Sequence, residues 1–434
     1  MPIGLFLIRT FLRRTDMRFK LLSIVAGLGL ALAGLQSAQA QAPAQPVKFA
    51  LCYDLSKSYG FVTPQISQAA RDYAQILNQK GGIEGHPIEI LVQDHGNEPQ
   101  RGIECYEKMK REGAIAFDFL STPVSRAVLP RAMADGNVMM QSFVGRGDAV
   151  DGDVFKWIFP IGPTYWGQMA NNIQYIKTKS KGNLKGVKIA FIYPDYPFGQ
   201  EPIGVLKTLA AKEGFELQLV PNPMPGNDQA AAWTQIRRFN PDWVLSWNLA
   251  NMHVVASREM KRNGIPMDKY IAVNWLNEVD LANIGLENAK GLKRGTNVVG
   301  GQSHPLMQQI IKDLYEKGKG SGDRKHLNDV YYNTGLAIYA SVFEGARLAI
   351  KQSGWPITPD KMKRGLESLK NFDAEDLIAP VTVTAKDHGG GGKTRIDMWD
   401  GAKWVPETGW FSAYDDVIQE IVKKESGEFA KAKQ

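Results

Sequence analysis

The chain has 434 residues, of which 44% are hydrophobic and 22% are charged, a composition typical of a globular protein with room for two cores. Its formal charge of +7 overstates how basic the bulk of the chain is, because residues 1–40 hold five basic residues against the single Asp16. The remaining chain therefore carries only about +3, which disfavours nucleic acid as a partner.

The first forty residues have the three parts of a secretory signal. The basic residues Arg18 and Lys20 precede an apolar run from Leu21 to Leu35, and Ala38-Gln-Ala40 fits an A-x-A cleavage site. The apolar run is too short for an anchor, and no later stretch reaches the roughly 20 apolar residues of a membrane helix. We therefore expect a signal peptide over residues 1–40, with Met17 as an alternative start, and an exported mature protein.

Residues 48–130 alternate short apolar runs with helical patterns. The apolar runs, which predict strands, are Lys48 to Tyr53, Ile88 to Val92 and Ala114 to Phe117. The helical patterns are Val62 to Leu77, Gln100 to Glu112 and a helix that begins at Ser121-Thr122-Pro123. This order predicts a parallel sheet covered by helices. Ligands of such sheets bind beyond the carboxyl ends of the strands, where Ser121 and Thr122 lie beside free N–H groups of a helix start.

The same alternation continues through the chain and starts a second round at Lys185. Further predicted strands are Asn137 to Gln141, Phe155 to Pro160, Val187 to Tyr193, Phe215 to Val220, Trp243 to Trp247 and Tyr270 to Val273. Further predicted helices are Tyr165 to Thr178, Gly199 to Glu213, Asp228 to Phe239, Ala250 to Asn263, Leu306 to Gly318, Asp329 to Lys351, Thr358 to Leu369 and Ala413 to Glu425. We also expect Val381 to Thr384 to pair antiparallel with Thr394 to Asp400. The chain is therefore predicted to form two α/β lobes of similar plan.

The sequence lacks the patterns of catalytic and metal sites. Its six histidines have no metal-ligand spacing, and the serine hydrolase pattern G-x-S-x-G is absent. The glycine run before Lys393 has Asp387 where a phosphate-binding loop requires glycine. We therefore expect no enzyme activity, no metal and no cofactor. Cys52 and Cys105 are the only cysteines, and export makes a disulfide between them and a pair of buried thiols equal alternatives.

Polar and aromatic residues collect at the predicted strand ends. The candidates for ligand contact are Ser58, Tyr59, Ser121, Thr122, Ser142 and Arg146 in the first lobe, and Tyr196, Phe198, Trp247, Trp275 and Glu278 in the second. Hydroxyls and helix N–H groups suit a carboxylate, and aromatic walls suit an apolar or ring-bearing body. Arg146 is a candidate for a bidentate contact with an acid, and Glu278 for contact with an ammonium group.

Several segments of the chain carry a family resemblance. They are Asn78-Gln-Lys-Gly-Gly-Ile-Glu-Gly85, Ile88 to Asp94, Ser121 to Pro130, Asp195-Tyr-Pro-Phe-Gly199 and Phe239-Asn-Pro-Asp-Trp243. With them the chain resembles the periplasmic substrate-binding proteins of ABC importers, in the branch that serves branched-chain amino acids, the Leu/Ile/Val-binding type. The resemblance extends over nearly all of residues 47–420, and its Asn-x-x-Gly-Gly-Ile-x-Gly block is fairly specific.

The resemblance implies the type I periplasmic-binding-protein fold, an α/β fold of two lobes. Each lobe is a parallel sheet flanked by helices, and three hinge crossovers join them so that they close on a ligand. The implied division is residues 47–162 with 299–372 for lobe 1, residues 163–298 with 373–425 for lobe 2, and residues 426–434 as a polar tail.

The resemblance also implies roles for single residues. Ser121 and Thr122 match the loop that holds the ligand's carboxylate, and residues Val144 to Arg146 match the loop that completes this pocket. Residues Asn274 to Glu278 lie where the family often places the acid that meets an α-ammonium. Departures from the family pattern are Arg146 in place of a small or hydroxyl residue, Phe198 without a phenol, and the bulky Trp247 and Trp275. These departures leave room for an aromatic ligand.

The expected function is that of a monomeric periplasmic receptor that delivers a small carboxylate to the permease of an ABC importer. A branched-chain or other hydrophobic amino acid is the first expectation for the ligand. An aromatic or short organic acid, or an amide, is the alternative. A ligand-sensing module on the same fold is the rival class of protein, and the absence of an output domain from the predicted elements argues against it.

Overall fold

The computed structural model of the protein describes residues 44–143 and 145–432. The predicted signal peptide and Val144 lie outside the described residues. The strands and helices below all belong to one compact unit, which begins at Pro46. None of the described helices is long and apolar enough to cross a membrane.

The described strands form two sheets. Their bounds are β1 Val47–Tyr53, β2 Ile88–Asp94, β3 Ala116–Asp118, β4 Val138–Met140, β5 Ile158–Phe159, β6 Lys188–Pro194, β7 Glu216–Asn222, β8 Trp243–Ser246, β9 Tyr270–Ala272, β10 Lys293–Thr296, β11 Arg395–Trp399 and β12 Trp404–Pro406. The first sheet has the order β2-β1-β3-β4-β5 and is parallel throughout. The second has the order β12-β11-β10-β9-β8-β6-β7, in which β10 to β7 are parallel and β11 and β12 run antiparallel at the edge.

Helices cover the sheets. Their bounds are α1 Thr63–Gln79, α2 Pro99–Arg111, α3 Thr122–Asp135, α4 Tyr165–Lys179, α5 Pro197–Gln200, α6 Ile203–Glu213, α7 Ala230–Phe239, α8 Asn251–Arg262, α9 Glu278–Ile284, α10 Pro305–Ile310, α11 Val330–Ser353, α12 Pro359–Leu366 and α13 Asp415–Ala432. A π-helical turn, Ile311–Tyr315, follows α10 directly. Capping explains where several helices begin. A side chain before the helix accepts a hydrogen bond from a backbone N–H of the first turn at Ser121, Thr164, Asp329 and Thr358.

Strand β1 shows how the sequence produces a central strand. Phe49 and Leu51 pack into the core on one face of the sheet, whereas Ala50 and Cys52 pack on the other. A strand buried on both faces reads as a continuous apolar run, which is typical of parallel sheets. Cys52 forms a disulfide with Cys105 of α2, with 6.0 Å between their Cα atoms. Of the two alternatives that the sequence left open, the structure therefore has the bonded one.

The predicted antiparallel pair of Val381 to Thr384 with Thr394 to Asp400 is wrong. Val381 instead forms an isolated bridge with Phe372. Strand β11, which covers Arg395–Trp399, pairs antiparallel with β10 and β12. It joins the second sheet beside β10, where Met398 lies opposite Lys293. The glycine-rich segment before β11 is therefore a connection that enters the second sheet, and not a hairpin turn.

Each sheet with the helices packed on it is one lobe, and the chain passes between the lobes three times. It passes after β5, after β10, and between α12 and β11. Helix α13 then contacts both lobes. Phe429 stacks on Phe155 of the first lobe with 4.7 Å between ring centroids, and Asp416 Oδ2 lies 2.9 Å from Lys212 Nζ of the second. The helix continues to Ala432, beyond its predicted end at Glu425, because these later residues pack on the first lobe.

Candidate functional site

The loop after β1 carries Tyr59 to the boundary between the lobes. The carboxylate of Asp54 shapes this loop, since it accepts hydrogen bonds from the backbone N–H groups of Tyr59 and Lys57, both at 2.8 Å. The Tyr59 hydroxyl lies 2.8 Å from the hydroxyl of Tyr196, which follows β6 in the second lobe. The carboxyl ends of β1 and β6 therefore face each other across an interlobe cleft, here defined by the loops that follow β1, β3, β4, β6, β8 and β9.

Aromatic side chains of the second lobe gather around Tyr165, the first residue of α4. The rings of Phe198 and Trp247 meet the Tyr165 ring edge-on, with centroids 5.2 Å and 5.8 Å away. The indole Nε1 of Trp275 donates a hydrogen bond to the Tyr165 hydroxyl at 2.8 Å. Burial raises the pKa of Tyr165 well above its usual range, so this phenol stays protonated. The cluster combines apolar walls with polar tips, as ligand pockets do.

Tyr331, near the start of α11, adds a first-lobe side chain to these aromatics. Its ring lies 5.7 Å from that of Trp275 and 5.8 Å from that of Phe61, between centroids. Its hydroxyl donates to the backbone oxygen of Trp275 at 2.9 Å. Aromatic residues of both lobes are therefore in contact across the cleft.

The loop predicted to hold a carboxylate lies at the carboxyl ends of β3 and β4. The Ser121 hydroxyl donates to Asn97 Oδ1 at 2.7 Å and caps α3, so it has a structural task. The Thr122 hydroxyl accepts a hydrogen bond from the N–H of Gly145 at 3.3 Å. Thr122 thus contacts the loop that follows β4.

A small cavity lies beside this loop, near the passages between the lobes. Ser142 and Asn297 line it, and its volume of about 20 Å³ is room for about one water molecule. Both side-chain atoms of the Asn297 amide are buried without a protein partner, so a water here would gain hydrogen bonds.

The N-terminal ends of α9 and α11 meet across the cleft, and we call these four residues the paired helix starts: Asn277 and Glu278 of the second lobe, Asp329 and Val330 of the first. Asn277 Nδ2 donates to Asp329 Oδ2 at 2.7 Å, and the N–H of Val330 donates to Glu278 Oε2 at 3.0 Å. Burial, together with the charge of Glu278, raises the pKa of Asp329 to about 7. Burial likewise raises the pKa of the neighbouring Asp280 to about 7.

Two charged candidates have protein partners in place of a ligand. The guanidinium of Arg146 binds the carboxylate of Asp148 in bidentate fashion, at 2.5 Å and 2.6 Å. Glu278 Oε1 accepts a hydrogen bond from Trp404 Nε1 at 3.1 Å and lies 3.6 Å from Arg294 Nη2. The charges of Arg146 and Glu278 are thus met within the protein, and the ligand contacts expected of both residues stay predictions.

The structure thus brings together some of the predicted residues and separates others. Those that meet across or within the cleft are Tyr59, Tyr196, Phe198, Trp247 and Trp275. Ser121, Thr122 and Ser142 lie on the adjoining loops, Ser58 is exposed on the surface, and Val144 is not described. All of them remain predictions as ligand contacts.

Sequence reasoning missed four residues that join the lobes or centre the aromatic cluster. They are Tyr165, Tyr331, Arg126 and Glu201. Arg126 Nη2 of α3 donates to Glu201 Oε1 of the second lobe. A signal existed for Tyr165, because it follows the predicted crossover at Gly162-Pro163. The Arg126–Glu201 pair has no sequence signal, since its partners are 75 residues apart.

The family model described as periplasmic binding protein matches residues 46–403. The chain belongs to the periplasmic binding protein family. Members of this family are periplasmic solute-binding proteins without enzyme activity. The chain is therefore a substrate-binding receptor of the kind that serves ABC transporters. No curated protein sequence matches this binding protein. Among the described residues, no group of three or more His, Cys, Asp or Glu side chains could hold a metal ion.

Solved structures are similar to this binding protein over nearly their whole length. One described as an ABC transporter permease from the Pseudomonas fluorescens group is 32% identical with a TM-score of 0.82, covering 90% of this chain and 98% of its own. A branched-chain amino acid ABC transporter from Thermus thermophilus with bound valine is 18% identical with a TM-score of 0.75, covering 87% and 99%. An ABC transporter solute-binding protein from R. palustris in complex with benzoate is 18% identical with a TM-score of 0.69, covering 86% and 98%.

Proposed function

We propose that this receptor captures a small hydrophobic carboxylate between its lobes and delivers it to the permease of an ABC importer. The main support is the hydroxyl pair of Tyr59 and Tyr196, 2.8 Å apart, because it joins the carboxyl ends of both sheets on opposite sides of the cleft. A ligand that enters here meets phenol and indole donors together with aromatic walls. The lobe division, residues 47–162 with 299–372 and residues 163–298 with 373–425, and a monomeric state belong to this proposal.

An organic acid with an aromatic or other apolar body suits the cleft best. An amino acid requires a free carboxylate for its ammonium group, because a buried charge needs a partner. Glu278, the predicted ammonium partner, already receives hydrogen bonds from Val330 and Trp404. The relative described with benzoate agrees with this ligand class.

A hydrophobic amino acid is the second candidate ligand. It is supported by the relative described with bound valine, and by the side-chain amide of Asn274, whose buried Oδ1 has no protein partner and could accept from an ammonium group. Uptake of the amino acid would leave the partners of Glu278 in place.

Titration of the purified protein with benzoate, phenylacetate, leucine and valine tests the proposal. We expect saturable quenching or enhancement of tryptophan fluorescence, because Trp247 and Trp275 lie at the cleft, and a rise in Tm through preferential binding to the folded state. Benzoate or phenylacetate should bind more tightly than leucine. Binding of leucine and valine alone would favour the second candidate, and binding of none of the four would overturn both.

Thr122→Ala tests the carboxylate loop. The dissociation constant should rise about tenfold, the usual scale for one lost hydrogen bond to a charged group, while the protein stays folded. Thr178→Ala is the matched control, because Thr178 is an exposed threonine on α4 whose hydroxyl bonds only to Gln174 in its own helix. An unchanged constant for Thr122→Ala would remove Thr122 from the site.

A further inference from the structure

Glu201 is a carboxylate in an unusual place. Its side chain is only 1% exposed, although it lies in the short connection between α5 and α6. The partner that neutralises it comes from the other lobe, Arg126 of α3, whose side chain is 44% exposed. Trp166 Nε1 donates to the backbone oxygen of Glu201 at 2.9 Å and fixes the position of this connection. A buried acid therefore crosses the boundary between the lobes to reach a half-exposed cation.

The Glu201 carboxylate lies against the loop predicted to hold a ligand's acid group. A Cβ atom on Gly145 would overlap Glu201 Oε1, so only glycine lets the carboxylate approach this backbone so closely. The N–H of the same Gly145 donates to the Thr122 hydroxyl at 3.3 Å. Thr122 and Arg126 are four residues apart on α3, so they share one helix face. The Glu201 carboxylate thus lies against the guanidinium of Arg126 and the backbone of Gly145, and Gly145 in turn bonds to the Thr122 hydroxyl.

We propose that the Glu201 carboxylate holds the anion position at Arg126 and that the carboxylate of an incoming ligand replaces it there. The inference rests on the proposed function and deepens it, because it makes Arg126 the specificity-determining cation for carboxylates. The ligand's oxygens form the new ion pair with the guanidinium, and the Arg126–Glu201 pair breaks.

The exchange should change the protonation of the Glu201 carboxylate. Burial raises the pKa of Glu201, and the charge of Arg126 is the largest influence that lowers it. The other groups that face Glu201 are Arg146, which lowers the pKa of the carboxyl, Asp148, which raises it, and the neutral phenol of Tyr165. When a ligand takes Arg126, Glu201 loses its main stabilising charge and takes up one proton from solvent. The ligand's negative charge is thereby balanced, and binding becomes tighter as the pH falls.

The simpler alternative is that the pair only holds the lobes closed. The two roles predict opposite effects of Glu201→Gln, which keeps the shape of the side chain and removes its charge. If Glu201 competes with the ligand for Arg126, removing its charge leaves Arg126 free, so ligands bind more tightly. If the Arg126–Glu201 pair only holds the lobes together, losing it destabilises the closed form, so ligands bind less tightly.

Isothermal titration calorimetry with benzoate and leucine separates the two roles. At about pH 8, Glu201→Gln should bind at least about fivefold more tightly than the wild type, and the difference should shrink at about pH 5, where Glu201 protonates more readily. Arg126→Gln should bind about tenfold or more weakly, with partial recovery in Arg126→Lys. Arg131→Gln is the matched control on the same helix, since Arg131 is exposed and pairs with Glu107. Thermal melts of each variant report whether it is folded.

Weaker binding in Glu201→Gln, or unchanged binding in Arg126→Gln, would overturn the exchange while the receptor function stands. Binding to Glu201→Gln but not to the wild type would support it, because the protein's own acid would then exclude the probe. If neither protein binds either acid at either pH, the carboxylate function fails, and the exchange fails with it.

Discussion

At the scale of single residues, the contact of Tyr59 with Tyr196 is a polar link between the two halves of the cleft that is made of two neutral groups. Burial raises the pKa of Tyr59 well above its usual range, and the nearby phenol of Tyr196 adds to the effect. Both hydroxyls therefore remain protonated at any physiological pH, and either can donate to the other at 2.8 Å. A link of this kind can open for a ligand without separating charges.

Phenylalanine substitutions measure this link. Tyr59→Phe and Tyr196→Phe should each lower the free energy of unfolding in urea by about 1–2 kcal/mol, because each leaves the other hydroxyl buried without its partner. The double variant should lose less than the sum of the two, since no unpaired hydroxyl remains. Tyr175→Phe is a control in the second lobe, where the hydroxyl donates to Glu407 away from the cleft. Additive losses in the double variant would show that the two hydroxyls do not interact in solution.

Residue types at strand ends could be predicted from the sequence, but their partners could not. The aromatic residues Phe198, Trp247 and Trp275 were expected at the cleft because each follows a recognisable strand. Arg146 was expected to face a ligand, and it binds Asp148 because the intervening Gly147 starts a tight turn that brings the two side chains together. A sequence does not show whether a charged side chain has a partner in the folded protein, so only the structure distinguishes a paired charge from a free one.

At the scale of secondary structure, the paired helix starts join α9 of one lobe to α11 of the other. Each helix start supplies an acceptor for a donor on the other lobe, through Asp329 and Glu278. Acidic groups are favourable at helix N-termini, but Asp280, Asp329 and Glu278 also lie close enough to repel one another. The cluster holds protons that the unfolded chain would release.

The stabilising contribution of these carboxyls should therefore fall as pH rises from about 4 to about 7. The carboxyls of Asp280 and Asp329 titrate near 3.9 when unfolded, and burial raises the pKa of each to about 7 in the folded protein. Their stabilising contribution is complete below the unfolded pKa and is lost as pH rises through the folded one. Burial also raises the pKa of Asp118 to about 6, with the same sign. Burial lowers the pKa of His95, His253 and His326, which contribute with the opposite sign, so a comparison of variants is needed to isolate the carboxyls.

Urea unfolding at about pH 5, 6, 7 and 8 checks this expectation. Between about pH 5 and pH 7, Asp280→Asn should lose less stability than the wild type as pH rises, or gain more, because the amide cannot titrate. Asp153→Asn is the control, since Asp153 is exposed on the surface. The expectation is wrong if Asp280→Asn keeps the pH slope of the wild type over this interval, or if the control changes the slope equally.

The parallel cores of both lobes could be predicted, because β1 and β6 are seven-residue strands that are apolar apart from one lysine near the start, and clear helices follow them. The edge of the second sheet could not. Strand β10 has the sequence Lys-Arg-Gly-Thr, which carries no apolar signal, and its partner β11 lies about a hundred residues further along the chain. Periodicity reports which face of a segment is buried, but it does not report which distant segment lies beside it.

At the scale of the whole molecule, the lobes are connected by more than the three passages of the chain. Helix α13 lies across both lobes at the side where these passages run, and it contacts the turn Gly147–Val150 as well as α4 and α6. The Ser426 hydroxyl donates to Asp151 Oδ2 at 2.6 Å. Because lobes that close on a ligand rotate about their connections, this helix limits how far they separate.

Phe429 is the residue through which α13 reaches the candidate site. Its ring stacks on Phe155, and the guanidinium of Arg146 lies 4.3 Å from its centroid. Phe429→Ala should lower the free energy of unfolding by about 1–3 kcal/mol, through lost aromatic burial and a lost cation–π contact. Because Arg146 belongs to the loop that contacts Thr122, the same change should weaken carboxylate binding several-fold and widen the empty receptor, seen as a larger radius of gyration in X-ray scattering. Lys431→Ala, an exposed change on the same helix, should alter none of these. A variant that loses stability with unchanged affinity and unchanged radius would restrict α13 to a packing role.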